Sequence, residues 1–277
     1  MPTRPPSSDW THEGFDWTHE GPDRTGDGPT DDGSSRDGDA VRPPLRAAAV
    51  LLAAGASSRM GGERSKALIE LGGRALVARA AAALLAAQHV EELVVVVREG
   101  GRAEVERALG PLAARVDAFA VGGAERTDSV RAGVDAVSDS VDVVVVHDAA
   151  RCFVAPDDVA AVARAAADHG AALLASRVRD TLKHSSNGFQ SEETVDRDRL
   201  WAAETPQGMR VARFRDVLAR AAMDGFRPTD DAALHEHYHG PTKLVESTRW
   251  NVKLTTPKDL EFGEALARSL DAEDAGR

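Results

Sequence analysis

The run Ala47-Ala48-Ala49-Val50-Leu51-Leu52-Ala53-Ala54-Gly55-Ala56-Ser57-Ser58-Arg59-Met60-Gly61-Gly62-Glu63-Arg64-Ser65-Lys66 decides the reading of this chain. Its first part is short and wholly apolar, the pattern of a strand buried on both faces. Its second part is small, glycine-containing and basic. Ligands of open parallel sheets collect at the carboxyl ends of strands, so a loop of this kind after a strand is a natural anion site. Small residues let backbone N–H groups approach a phosphate, and Arg59 and Lys66 add positive charge. The spacing is neither a Walker A loop nor a GxGxxG fingerprint, which argues against an ATPase or a dinucleotide oxidoreductase. Taken alone, the loop leaves a solvated turn as the lesser reading, because short glycine patterns recur by accident.

Working outward, apolar runs at 93–97, 116–121, 143–147 and 171–176 read as further strands. Ala- and Leu-rich helical patterns lie between them, at 75–88, 102–109, 127–137 and 156–169. Strand–helix alternation at this spacing predicts an α/β domain with a doubly wound, mostly parallel sheet. The alternation breaks at 177–183 and 193–197, which are extended and polar and are separated by Ser185-Ser186-Asn187-Gly188. Asn-Gly between such runs is a hairpin signal. With so little apolar content the hairpin cannot stand alone, so an arm over about 177–199 is expected to project and pack on a partner. Helical patterns at 211–223 and 230–237, a strand at 243–246 and a helix from about Pro257 complete the domain, expected to span 46–270. Residues 271–277 are expected to be disordered.

Composition narrows the function. Of 277 residues, 42% are hydrophobic but only 4% aromatic, so the core must be built from Ala, Val and Leu. The net charge is -11; residues 1–45 hold ten acidic and four basic side chains, a net of -6, leaving -5 for the rest. Neither part has the basic excess of a nucleic-acid binder, so an anionic ligand must be held by local cations. The 1–45 segment, rich in Asp, Gly, Pro and Ser, is read as a disordered acidic tail. It carries a tandem repeat, Asp9-Trp10-Thr11-His12-Glu13-Gly14 and Asp16-Trp17-Thr18-His19-Glu20-Gly21. A low-complexity extension is preferred over a pair of docking motifs. The single cysteine, Cys152, rules out an intrachain disulfide, and no stretch is long enough to span a bilayer, so a cytoplasmic protein away from membranes is expected.

A second constellation, His147-Asp148-Ala149-Ala150-Arg151, follows the 143–147 run. Asp148 can accept from a ribose hydroxyl or help hold Mg²⁺, and Arg151 can pair with phosphate. The bland alternative is a surface ion pair. It loses ground because both motifs fall at carboxyl ends of strands.

Several motifs then occur in a telling order. They are Leu52-Ala53-Ala54-Gly55 with Arg59-Met60 and Lys66, Gly122-Gly123-Ala124-Glu125-Arg126-Thr127-Asp128-Ser129-Val130, His147-Asp148-Ala149-Ala150-Arg151, Arg179-Asp180-Thr181-Leu182-Lys183, Thr194-Val195-Asp196-Arg197, Thr205-Pro206-Gln207, Thr229-Asp230-Asp231 and Asn251-Val252-Lys253. In this order, from about Ala47 to about Leu260, the chain resembles the 2-C-methyl-D-erythritol 4-phosphate cytidylyltransferases of the non-mevalonate isoprenoid pathway. The first motif is shared by many nucleotidyltransferases; the ordered set is far more specific.

The resemblance implies a Rossmann-like nucleotidyltransferase that uses CTP, a polyol phosphate and Mg²⁺ or another divalent cation. It implies that Arg59 and Lys66 stabilise charge on the α-phosphate, and that Arg197 and Lys253 position the attacking phosphate. Ala53, Ala54, Gly55, Gly123, Ser129 and Asp148 match the nucleotide pocket, Asp148 as a ribose contact. Thr181, Thr205 and Thr229, with Arg151, match the acceptor side. The arm implies a homodimer in which Arg197 serves the partner's site. Asp148 is the one protein group suggested for the metal.

Three departures stand out. Ala124 replaces an acid near the base, Ser65 replaces a proline before Lys66, and Cys152 replaces a proline after Arg151. The thiol is read as an incidental small residue. His235-Glu236-His237-Tyr238-His239 is read as a solvated helix end and not a zinc site, since residues two apart diverge on a helix. Two rivals remain: a cytidylyltransferase for another polyol phosphate such as ribitol 5-phosphate, and a non-catalytic nucleotide-binding module on the same fold.

Overall fold

The computed structural model describes residues 44–55 and 65–275. Arg59 and the tail up to residue 43, with its tandem repeat, lie outside the described residues. In chain order the elements are β1 (Ala47–Leu52), β2 (Glu70–Leu71), β3 (Arg74–Ala75), α1 (Leu76–Ala86), β4 (Val90–Val97), α2 (Arg102–Leu109), β5 (Ala118–Val121), α3 (Arg126–Asp135) and β6 (Val143–Asp148). They continue with α4 (Pro156–His169), β7 (Ala171–Arg177), β8 (Leu182–His184), β9 (Glu193–Val195), β10 (Trp201–Arg210), α5 (Val211–Asp224), α6 (Asp231–His239), β11 (Lys243–Glu246) and α7 (Pro257–Ala275).

Seven strands form one sheet in the order β11-β7-β10-β6-β1-β4-β5. Every neighbouring pair is parallel except those of β10, which runs antiparallel to both β6 and β7. The period-two alternation of strands divides the core between two faces. Ala47, Ala49 and Leu51 of β1 pack with Val143 and Val145 of β6, together with residues of α1 and α4. Ala48 and Val50 pack on the other face with Val144 and Val146, beneath α3 and α5. The sheet is therefore doubly wound and mostly parallel.

The helices carry ordinary start and stop signals. Pro156 opens α4, Asp157 and Asp158 lie in its first turn, and Gly170 ends it at φ 91°. Asp158 is buried and accepts from the Thr248 hydroxyl at 2.8 Å, tying the chain after β11 to that first turn. A reciprocal box of Glu125 and Asp128 starts α3, and the Asp230 side chain caps α6 by accepting from Ala233 N.

Three expectations need correction. Strand β10 has no counterpart in the sequence reading, because Pro206 lacks an N–H and sits badly in a central strand. The sheet accommodates it through a register break between Ala203 and Gln207. The arm is a separate two-stranded sheet, but its strands are only Leu182–His184 and Glu193–Val195. The rest of the polar run before it is the end of β7 and a connection. Finally, α7 runs to Ala275 where disorder was expected after 270. The buried Arg79 guanidinium explains this, since it takes Asp271 in two hydrogen bonds of 2.8 and 2.6 Å.

Helix α3 lies unusually close to the sheet because Gly133 has no side chain. A Cβ there would stand 2.3 Å from Val50 Cγ1 and 2.8 Å from Val96 Cγ2. Gly133→Ala gains helix propensity of about 1 kcal/mol but overpacks the core at a cost of about 1–3 kcal/mol. A lower urea midpoint is expected. A midpoint at or above that of the wild type would show that the gap yields freely.

Candidate active site

The loop after β1 is clamped at both ends. Ala53 N donates to Val96 O at 2.8 Å, and the buried Ser65 hydroxyl donates to Ala53 O at 2.9 Å. Ser65 has φ -60°, close to the value a proline would impose. The hydrogen bond thus supplies much of the restraint that a proline ring would have given.

Across the cleft, two glycines admit the first turn of α3. A Cβ on Gly122 would meet Ala54 Cβ at 2.8 Å, and one on Gly123 would meet Asp128 Cβ at 2.4 Å. The resulting cleft is about 480 Å³ and brings together Ala53, Ala54, Gly55, Lys66, Gly123, Ser129, Asp148 and Lys253. Ala124, Glu125 and Arg126 line it as well.

Asp148 is the electrostatic centre. Its Oδ2 lies 2.7 Å from Lys253 Nζ, and its Oδ1 lies 3.6 Å from Arg126 Nε. Burial pushes the carboxyl pKa upward, but the charges of Arg126 and Lys253 outweigh it and hold the group below its ordinary value of 3.8. The backbone below is fixed by a buried relay. Asp148 N donates to Thr205 Oγ1 at 3.2 Å, and that hydroxyl also meets His147 Nδ1 at 3.0 Å. His147 Nε2 lies 3.0 Å from Arg151 O. A carbonyl only accepts, so Nε2 carries the proton and Nδ1 receives the Thr205 hydrogen.

A second cleft of about 730 Å³ adjoins the first and is lined by Arg151, Arg177, Arg179, Arg249, Trp250 and Lys253, among others. Lys253 lines both. Arg151 has two of its nitrogens committed, Nη1 to Asn251 O at 2.8 Å and Nη2 to Ala203 O at 3.3 Å. It braces the second cleft's wall as well as charging it.

The remaining acceptor-side residues are not gathered within this chain. Thr205 is buried behind Asp148, not in an acceptor pocket. Thr181 and Thr229 are exposed and line neither cleft. Arg197 is exposed near the arm and donates to Arg179 O.

This arrangement can be set beside known proteins. The family model for 2-C-methyl-D-erythritol 4-phosphate cytidylyltransferase matches residues 47–269. The chain belongs to that family. It is 38% identical over 226 residues to the cytidylyltransferase of Geobacillus kaustophilus, covering 81% of this chain and 98% of that one. The corresponding protein of Geobacillus thermodenitrificans is 40% identical over 226 residues, with the same coverage. Among solved structures, the enzyme of Thermus thermophilus superposes with a TM-score of 0.66 at 35% identity, over 82% of this chain and 100% of that one.

Within the family's motifs, Arg126 and Asp231 are two residues of the site that the sequence alone does not single out. Their signal was a charged residue in each of two motifs, but nothing local says that they meet. The histidine cluster also reads differently in space. His235 is 2% exposed, with Nε2 3.1 Å from Arg213 Nη1 and Nδ1 3.1 Å from Gly240 O. His237 stacks on Phe226. His235 is thus a buried joint and not part of a solvated end. Among the described residues no group of three His, Cys, Asp or Glu is arranged to hold a metal ion. Burial pushes the Cys152 thiol up to about 12, which makes it unreactive.

His147 gives a pH prediction. Burial drives its pKa from 6.5 down to about 4, so the unfolded chain binds the proton more readily than the folded one. Its stabilising contribution is complete above pH 6.5 and is lost as pH falls toward 4. The size is at most about 3 kcal/mol. Unfolding free energy should therefore fall between these pH values, and His147→Gln should flatten the slope. An unchanged slope in that variant would assign the pH dependence to other groups.

Proposed function

We propose that this chain transfers CMP from CTP to 2-C-methyl-D-erythritol 4-phosphate, giving 4-diphosphocytidyl-2-C-methyl-D-erythritol and pyrophosphate. The observation that carries this reading is Lys253, whose side chain lines both the strand-end cleft and the arginine-rich cleft beside it. A lysine so placed can hold an acceptor phosphate against a nucleotide's α-phosphorus.

An acceptor phosphate oxygen forms the new P–O bond in line with the bond from the α-phosphorus to its β-bridging oxygen. That bond breaks, and its electrons leave with pyrophosphate. No protein nucleophile is needed, so the chain contributes positioning and electrostatics. Lys66 and Arg59 are assigned to the α-phosphate, and Lys253 and Arg197 to the acceptor phosphate. The backbone of Ala53, Ala54, Gly55 and Gly123, with Ser129, lines the base and phosphate positions, and Asp148 accepts from the ribose. Mg²⁺, when bound, neutralises phosphate charge; so few cleft carboxylates suit a cation carried mainly by the nucleotide, with Asp148 as the protein ligand at the strand end.

A homodimer joined through the β8–β9 arm belongs to the same reading. It is supported by Phe189, 94% exposed in the arm's connecting turn, and by Arg197 lying outside both clefts of its own chain. No described helix is long and apolar enough to cross a membrane. A cytoplasmic setting is proposed on the single cysteine, which is buried.

The test is pyrophosphate release from CTP and Mg²⁺ with each acceptor in turn. Release with the methylerythritol phosphate and not with ribitol 5-phosphate is expected. The reverse pattern, or no release with any acceptor, would overturn the assignment. Lys66→Ala, Lys253→Ala and Arg59→Ala should each lower turnover about 10²–10³-fold without unfolding the protein. Near-normal kcat in any of them would remove that residue from its role.

A further inference from the structure

Two carboxylates compete for one arginine at the floor of the strand-end cleft. Arg126 donates from Nη1 to Asp231 Oδ1 and from Nη2 to Asp231 Oδ2, both at 2.8 Å. To Asp148 it presents only Nε, at 3.6 Å. We propose that Asp231 is a positioning residue: by occupying both terminal nitrogens of Arg126 it keeps the arginine from closing on Asp148, and so leaves that carboxylate open to the nucleotide.

The physical reason lies in the shape of the guanidinium. Its planar fork matches a carboxylate in two parallel hydrogen bonds, a strong arrangement that arginines frequently adopt. Asp148 is within reach. Were its partner removed, Arg126 would be free to swing onto Asp148 and engage both oxygens. Lys253 already holds Oδ2 at 2.7 Å, so Oδ1 is the atom left for a ligand hydroxyl. With Asp231 in place, Arg126 supplies charge to Asp148 without consuming that oxygen.

Asp231 wins the competition because it cannot move away. Its side chain is only 4% exposed. It is the first residue of α6, a helix whose start is pinned from two sides. Asp230 caps it by accepting from Ala233 N at 3.0 Å, and the buried Gln207 accepts from Ala232 N at 2.8 Å. Gln207 Nε2 also donates to Asp230 Oδ2 at 3.0 Å. Gln207 belongs to β10, whose Thr205 holds the Asp148 backbone. One strand therefore fixes both the carboxylate that must stay open and the carboxylate that keeps it so. In the chain the arginine and its partner are 105 residues apart.

The inference rests on the reading that this cleft takes CTP, and the experiment separates the two. CTP with magnesium chloride is titrated calorimetrically into the wild type, Asp231→Asn, Asp148→Asn and the double variant, with thermal unfolding of each. Asp231→Asn should weaken CTP about 10-fold or more, the scale of a charge-assisted hydrogen bond, with the fold intact. In turnover assays the loss should appear in KM for CTP more than in kcat. On the Asp148→Asn background the same change should cost less than about 2-fold, because its target is already gone. Unaltered affinity in Asp231→Asn, or an equal loss on both backgrounds, would overturn the inference and leave Asp231 a structural residue. If Asp231→Asn does not fold, Asp231→Ser carries the same cycle, since serine also gives up the paired acceptor oxygens and leaves the Arg126 fork free. A wild type that takes up no CTP would overturn the cleft's assignment and the inference with it.

Discussion

The site depends on register. Leu52, the last residue of β1, lies opposite Asp148 on one side and Val96 on the other. That alignment puts the glycine-containing loop, the central carboxylate and the turn leading to Gly122 at one level of the sheet. It is strongly enforced, because β1 is buried on both faces and a one-residue slip would exchange its two sets of apolar side chains. The crevice opens beside β1, where the chain first winds outward to β4 and β5 and then crosses back through α3 to β6 on the other side of β1. This is the place where open α/β sheets hold ligands.

Above that scaffold the charges alternate: Lys253, Asp148, Arg126, Asp231. Each cation is flanked or held by a carboxylate, so in a protein with net charge -11 the positive groups of the cleft are fixed in place by local pairing and not by a global field. The second cleft is more one-sidedly basic. Carbonyl acceptors on two other segments hold Arg151 in its wall, which fixes where its charge is felt.

The parallel strands were legible because β-branched and aliphatic runs bounded by glycine have few other uses. The loop, Asp148 and Lys253 were legible through their placement after strands and through the ordered motifs. β10 was not, because Pro206 and Gly208 disguise a central strand. Gly208 fits closely there, since a Cβ would come within 3.1 Å of Ala166 and 3.2 Å of Val162 in α4, a constraint that only the folded neighbour reveals. The Arg126–Asp231 pair was illegible for a related reason: ion pairing across so long a stretch leaves no periodicity. His235 misled through its exposed-looking neighbours, although its ring is held by Arg213 and Gly240. Thr181, Arg197 and Thr229 were picked from motifs, and one chain does not bring them to either cleft.

The place of β10 also bears on how the molecule comes into being. Strands β1, β4, β5 and β6 are synthesised first and can pair among themselves, leaving one side of β6 without a neighbour. β7 emerges next but does not belong there; its place is one strand further out. The slot between them is filled only by β10, made more than fifty residues after β6 ends. Until then the nascent sheet carries an open, Val-rich edge of the kind that invites pairing with other chains. Closing that edge is also what sets the Thr205 hydroxyl beneath Asp148, so a half-made chain offers neither a sealed sheet nor a working site.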